Sequence, residues 1–265
     1  MQLINNPPEQ LQQTPHIVAH LDFIGARNKM RSQEARNNFL QQIYEIYTTT
    51  DSRLSMMTKR IRESLYYRIF SDNILVAAEI DKHGSNMACF VRIARFCTLF
   101  QFLALTKGLF VRGAIAYGDF VGNDTFVFGE ALVNAYEAET DRAIYPRVII
   151  DSSVFNTIVA PRFHNAMRHE SIKGLFNLDF DGLWYISPFG VFPPNQCNAE
   201  LNRKHLEETQ NNILQEYQNS QKENHKQKYY WLINKFNEFC QNNPQYQDLQ
   251  ILPSDYIDYA TRGKQ

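Results

Sequence analysis

Cysteine is sparse in this chain. The four residues Cys89, Cys97, Cys197 and Cys240 form no C-x-x-C pair, and no histidine clusters beside them. That spacing argues against a zinc knuckle or a disulfide framework, and it suits packed thiols in a reducing, cytoplasmic setting. No apolar run approaches the length of a membrane span, and the opening stretch MQLINNPPEQLQQ is too polar for a secretory signal. An excess of either charge is missing too. With 27 Lys and Arg against 28 Asp and Glu the formal net charge is −1, so no global basic field points to nucleic acid or an acidic membrane.

What is present is an ordinary globular composition, 44% apolar and 21% charged, in 265 residues. That length suits one large domain with a helical appendage. Prolines and amides mark residues 1–15 as a flexible arm. Residues 16–195 alternate strand and helix patterns and read as the main domain. Residues 196–265 turn rich in Gln, Asn, Glu and Lys and read as a C-terminal helical hairpin and tail, with apolar stripes at Leu206, Ile213, Leu214, Tyr217 and at Tyr230, Ile233, Phe236, Phe239.

Within the main domain, HIVAHLDFIG (16–25) predicts a strand. An amphipathic helix is predicted over 29–48, broken by the Thr-Ser cluster at 48–52. YYRIFSDNILVAAEI (66–80) reads as two strands joined by a tight turn that carries Asp72. Residues 86–106 predict a helix apolar nearly all round, hence buried. Then come LFVRGAIAYGDFV (109–121), a strand with a turn expected at Gly118-Asp119, a short strand near DTFVFG, a helix over 129–140, a buried strand at 146–151, a helix capped by Ser152-Ser153, and an edge strand at 183–187. The order β-α-β-β-α-β followed by further α/β units is the ferredoxin-like α+β pattern: an antiparallel sheet with helices on one face. Its open face asks for a cover, and a second copy of the chain is the simplest one.

Two acids carry the chemistry. Asp22 stands near the end of the first strand and Asp72 on the hairpin turn, where no structural need requires a carboxylate. Acids on neighbouring strand ends can hold a pair of divalent cations for phosphoryl transfer.

Residues 16 to about 187 resemble the catalytic domain of class III nucleotidyl cyclases. HLDFIG matches that family's metal-binding Asp followed shortly by Gly, and FSDN supplies the second acid at the family's spacing. VRGAIAYGDF is similar to its R-x-G-I-x-x-G strand, GEALVNAYEAE stands where it has G-x-x-V-N-x-A-x-R, and the Lys173-Gly174 pair stands before the last strands. The FSDN turn and the GEALVNAYEAE helix look most like bacterial Pycsar pyrimidine cyclases. That resemblance implies conversion of CTP or UTP to the 3′,5′-cyclic monophosphate and pyrophosphate, as a messenger in anti-phage defence acting on a separate effector.

The resemblance implies the following roles. Asp22 and Asp72, with the Phe23 carbonyl, hold two Mg²⁺ or Mn²⁺ ions. Arg68, where purine-using relatives have Lys, reads the base, and Tyr66, Tyr67 and Phe126 line its pocket or pack the core. Lys173 binds the triphosphate beside Gly174. Arg112 contacts phosphate or forms a structural ion pair, and Glu139 accepts from a base amine or pairs with a cation. The family's Asn falls on Val133 and its transition-state Arg on Glu137, so Arg142, Arg112 or Arg27 supplies the missing charge, metal carries more of the load, or the site is inactive. A homodimer with two composite sites is implied. Three readings stay open: a pyrimidine cyclase, a purine-using cyclase, and a catalytically dead homologue serving as a nucleotide-binding module.

Overall fold

The computed structural model describes residues 12–57, 65–80, 86–162, 172, 174–190 and 199–256. The expected tight turn forms as a two-residue link, Ser71-Asp72, between β2 (Leu65–Phe70) and β3 (Asn73–Glu79). β1 (Thr14–Phe23) lies between β3 and β4 (Val111–Gly122), antiparallel to both. Helices α1 (Ala26–Lys29) and α2 (Gln33–Met57) connect β1 to β2, and α3 (Asn86–Thr106) connects β3 to β4. The spatial order β2-β3-β1-β4 is the split βαβ arrangement of an α+β, ferredoxin-like fold.

The sheet then extends through β6 (Val148–Ile150), parallel to β4, to β8 (Trp184–Ile186) and β7 (Phe176–Leu178), and the two-residue β5 (Val127–Phe128) pairs with β4. The sheet is therefore mixed rather than wholly antiparallel, and β7, not 183–187, forms the edge.

Strand alternation sorts the core. Ile17, Ala19, Leu21 and Phe23 of β1 pack with Ile74 and Val76 against Phe39, Ile43 and Ile46 of α2 and Phe90, Ile93, Phe96 and Phe100 of α3. Three sequence expectations change here. Helix α2 runs through the Thr-Ser cluster, because Thr48, Thr50 and Ser55 donate their hydroxyls to the carbonyls of Tyr44, Ile46 and Asp51 instead of competing for the backbone. β4 passes Gly118-Asp119 without turning, since β1 pairs with it as far as Thr14. The cap of the short α5 (Ser152–Val154) is Asp151, which accepts from the Ser153 N–H at 2.8 Å, while the Ser153 hydroxyl accepts from Tyr117 N–H.

The second face is not left open, as the one-sided pattern implied. Val18, Leu75, Ala77 and Phe120 meet Ala131 of α4 (Glu130–Arg142), and Ala114, Ile149 and Tyr185 lie in one apolar cluster with Ala138 and the C-terminal helices. Those helices, α6 (Ala199–Asn219) and α7 (Glu223–Asn242), bury Leu206 and Ile213 and then Trp231, Leu232, Ile233 and Phe236. Tyr230, expected on the apolar stripe, faces outward, and its neighbours Tyr229 and Trp231 are buried.

One charged cluster fastens α7 to the domain. Arg147, wholly buried, pairs with Asp179 and Asp181, and its guanidinium lies 5.3 Å from the Tyr145 ring and 5.7 Å from the Tyr185 and Trp231 rings. Asp179 also accepts from Trp231 Nε1 at 2.7 Å and pairs with Lys235 at 3.2 Å. Burial alone would raise the Asp179 pKa. The Phe180 N–H, the Trp231 indole and the charges of Arg147 and Lys235 together hold it below the ordinary value.

A carboxylate with a depressed folded pKa stabilises the fold above its unfolded pKa, and that stability is lost as pH falls through the folded value. Asp179→Ala leaves Arg147 buried with a partner gone, and should cost about 3–5 kcal/mol in urea unfolding at neutral pH. The gap between wild type and variant should close as the solution is acidified below the ordinary Asp range; a variant as stable as wild type at pH 7 would refute the fastening role.

Candidate active site

The end of β1 meets the β2–β3 turn. Asp22 stands opposite Asn73 on one side and Arg112 on the other, and Phe23 N–H donates to the Asp72 carbonyl at 3.4 Å. Ser71 takes the left-handed conformation, φ 59°, which a two-residue hairpin link demands and which holds Asp72 beside the strand end. The two acids thus come to one end of the sheet. Their mutual influence is visible in Asp22: burial raises its pKa most, the Arg112 charge and hydrogen bond oppose that, and the Asp72 charge raises it again. Beyond Asp22 the chain turns at Gly25, φ 77°, a left-handed position that glycine adopts without strain, and enters α1.

Asp22 shares the second face of the sheet with His20, on the same strand parity. Arg112 Nε approaches Asp22 Oδ2 at 3.2 Å and Glu139 Oε1 at 2.8 Å, while Glu139 Oε2 lies 3.8 Å from His20 Nδ1. Glu139, 2% exposed on α4, is thus committed to the chain's own Arg112 rather than turned toward a ligand. Burial raises its pKa, with Arg112 opposing and Asp22 adding to the rise. Burial and then Arg112 lower His20 to about 4, so its ring is neutral at physiological pH. Arg112 is the guanidinium that the fold pairs with Asp22. Of the other two substitutes considered, Arg142 pairs with Asp151 and Arg27 is exposed on α1.

A cavity of about 560 Å³ opens over Asp22 and Arg112. Gly25, Lys29 and Phe110 line it together with Glu216 of α6, Lys222 between the two C-terminal helices and Lys228 of α7. None of these C-terminal residues was among the site residues expected from the sequence, where the segment read as a helical hairpin with two apolar stripes.

The base-reading candidates lie elsewhere on the same face. Arg68 Nε donates to the Tyr66 hydroxyl at 2.8 Å, that hydroxyl donates to the Asn123 carbonyl at 2.9 Å, and Arg68 reaches Asp124 at 3.3 Å. Arg68 is therefore tied to the loop before β5, where Phe126 is exposed, and it is two strands away from Asp22. Tyr67 points to the opposite face and packs with Tyr47 and Phe96, so it belongs to the core. Lys173 lies outside the described residues. Asn134, Glu137 and Arg142 line a separate cavity of about 540 Å³ between α4 and α5.

Among the described residues no group of three or more His, Cys, Asp or Glu could hold a metal. The donor set expected from the sequence is the Asp22 and Asp72 carboxylates with the Phe23 carbonyl. All are hard oxygens, which suits Mg²⁺ or Mn²⁺ provided ligand and water oxygens complete the coordination. A cation there would also relieve the repulsion that Asp22 feels from Asp72.

No family model and no curated protein matches the chain. Solved structures similar to it include the catalytic core of a rhodopsin-guanylyl cyclase with converted specificity in complex with ATPalphaS, at 14% identity and TM-score 0.44, covering 66% of this chain and 96% of that one. An adenylyl cyclase from P. aeruginosa matches at 12% identity and TM-score 0.43, covering 72% of this chain and 100% of that one. The guanylate cyclase domain of RhGC from Catenaria anguillulae in complex with GTP matches at 13% and 0.42, covering 66% and 98%.

Because the folded pKa of Asp22 lies above its unfolded value, its ionisation costs the metal-free fold stability as pH rises through that interval. Asp22→Asn removes this cost, so the metal-free variant should melt no lower than wild type at pH 7. Mn²⁺ should raise the wild-type melting temperature by mass action, and this rise should vanish in Asp22→Asn and in Asp72→Asn. An undiminished Mn²⁺ response in either variant would remove that residue from the ligand set.

Proposed function

We propose that the chain is a nucleotide cyclase that converts a pyrimidine nucleoside triphosphate, CTP or UTP, to its 3′,5′-cyclic monophosphate and pyrophosphate, as a messenger in bacterial anti-phage defence. The observation that carries this reading is the meeting of Asp22 and Asp72 at one sheet end, with Asp22 lining a cavity that Lys29, Arg112, Lys222 and Lys228 also line. The motif order that resembles class III cyclases agrees with it.

In the reaction, the 3′-oxygen bonds to the α-phosphorus as the bond to the pyrophosphate oxygen breaks, and the hydroxyl proton passes to solvent. Two divalent ions, when bound, would supply charge to the α-phosphate and acidify the 3′-hydroxyl. Asp22 and Asp72, with the Phe23 carbonyl, are the groups that would hold them. Arg112, poised between Asp22 and Glu139, is placed to turn its remaining N–H groups toward phosphate once a cation relieves Asp22 of its pairing. Glu139 keeps that guanidinium oriented, and His20, neutral and buried, packs behind Glu139 without adding charge.

Arg68 offers the base a donor fork that matches the O2 and N3 acceptors of cytosine or a uracil carbonyl. Its hydrogen bond to Tyr66 and the 5.6 Å placement of its guanidinium near the Tyr66 ring preorganise it. Because Arg68 and Phe126 lie away from the Asp22 cavity, a head-to-tail homodimer is the arrangement in which metal acids from one protomer meet base readers from the other. Exposed Phe126, Phe128, Val133 and Tyr136 give such a dimer an apolar surface. Lys173 is assigned to the triphosphate on the motif resemblance.

Glu137, exposed on α4 where the related motif has Arg, favours a second reading, a nucleotide-binding module without turnover. Incubation with each of the four NTPs and Mn²⁺, read by mass detection of products, separates the two. Cyclic CMP or cyclic UMP should form, and Asp72→Ala should abolish it with the melting temperature retained. Return of all four NTPs unchanged establishes the binding module, and cyclic AMP or cyclic GMP as the main product overturns the pyrimidine assignment.

A further inference from the structure

The C-terminal helices close one side of the Asp22 cavity. Lys222, exposed just before α7, and Lys228, partly buried on α7, line it together with Lys29 and Arg112. The cavity's two acids are already engaged: Asp22 accepts from Arg112 at 3.2 Å, and Glu216 accepts from the Tyr229 hydroxyl. Lys228 is different. It is partly buried, and among the described residues no carboxylate lies within ion-pair distance of it. Burial and the nearby Arg112 charge both push its pKa down.

An unpaired, half-buried ammonium beside a guanidinium is a cost to the fold unless an anion enters with it. Four cations spread around one open cavity suit an extended polyanion better than a single carboxylate, because each can meet a different anionic group. Asp22 lines the same cavity, so a chain of phosphates held there lies beside that carboxylate.

We propose that the C-terminal helical pair forms part of the nucleotide site in cis, with Lys222 and Lys228 holding the polyphosphate tail. The identity of the ligand as a nucleotide rests on the cyclase reading, whereas polyphosphate binding rests on the cavity alone. The pair supplies positive charge from a segment outside the ferredoxin-like core, in a chain whose α4 carries Glu137 where the related motif places a cation.

The test is calorimetric titration of the full chain with inorganic tripolyphosphate in the absence of divalent ions, followed by nucleotide kinetics. Wild type should bind. Lys222→Gln with Lys228→Gln should weaken binding about ten-fold or more, and Lys228→Arg alone should largely retain it. The double variant should melt at or above the wild-type temperature, because an uncompensated charge has been removed. In turnover the double variant should raise KM more than it lowers kcat.

Tripolyphosphate binding that depends on the two lysines, in a chain that cyclises no NTP, supports this proposal and sinks the cyclase reading. Turnover with an unmoved KM in the double variant, equal tripolyphosphate affinity in wild type and double variant, or no wild-type binding overturns it and leaves the cyclase reading to stand on its own assay.

Discussion

The position of β1, hydrogen-bonded along both edges, governs what the rest of the chain can do. Pairing with β3 on one side and β4 on the other sets Asp22 level with both Asn73 and Arg112. A shift of one residue in either register would send Asp22 to the apolar face under α2 and α3. The close approach at Gly113 guards this alignment, since a Cβ there would lie 2.5 Å from the His20 carbonyl. The meeting of Asp22, Asp72, Arg112 and Glu139 is thus a consequence of strand register, and each charged group depends on the same pairings.

The electrostatics of that corner are unbalanced by design of the fold rather than by accident of one residue. Burial lifts the pKa of Asp22 and of Glu139, and a single guanidinium lies between them. A further cation, Lys228, lies partly buried nearby, and among the described residues no acid pairs with it. Both departures from neutral pairing would be relieved by the binding proposed above, cations at the acids together with an anionic ligand at the lysines. In contrast, the Arg147–Asp179 cluster is closed, with rings, indole and ammonium around it, and it serves to fasten α7. The fastening has a consequence for the site, because α7 carries Lys228 as well as Trp231 and Lys235.

Much of the element order was legible because it rests on local periodicity. The near-continuous apolar character of α3, the amphipathic spacing of Phe39, Ile43 and Ile46, and the turn chemistry at Ser71-Asp72 are properties of neighbouring residues. The errors came where tertiary pairing overrode a local signal. Thr48, Thr50 and Ser55 look like helix breakers until their hydroxyls find carbonyls in the preceding turn. Gly118-Asp119 looks like a turn until β1 accompanies it. The apolar stripes of the C-terminal helices marked packing faces without saying which surface they cover, and Tyr67 went to the other side of the sheet by strand parity alone.

The amino-acid order by itself determined the alternation of strands and helices, the wide spacing of the cysteines, and the placing of two acids at the ends of short apolar strands. These follow from hydrophobic period and turn preference, which act over a few residues. Only the tertiary structure decided that Glu139 faces inward to Arg112, that Arg68 is tied to the loop before β5, and that lysines from the C-terminal helices border the Asp22 cavity. Those outcomes depend on helix docking and strand register between segments up to two hundred residues apart. Contact at that range leaves no periodic trace in the chain, because a solvated lysine and a lysine lining a cavity occupy the same kind of position on a polar helix.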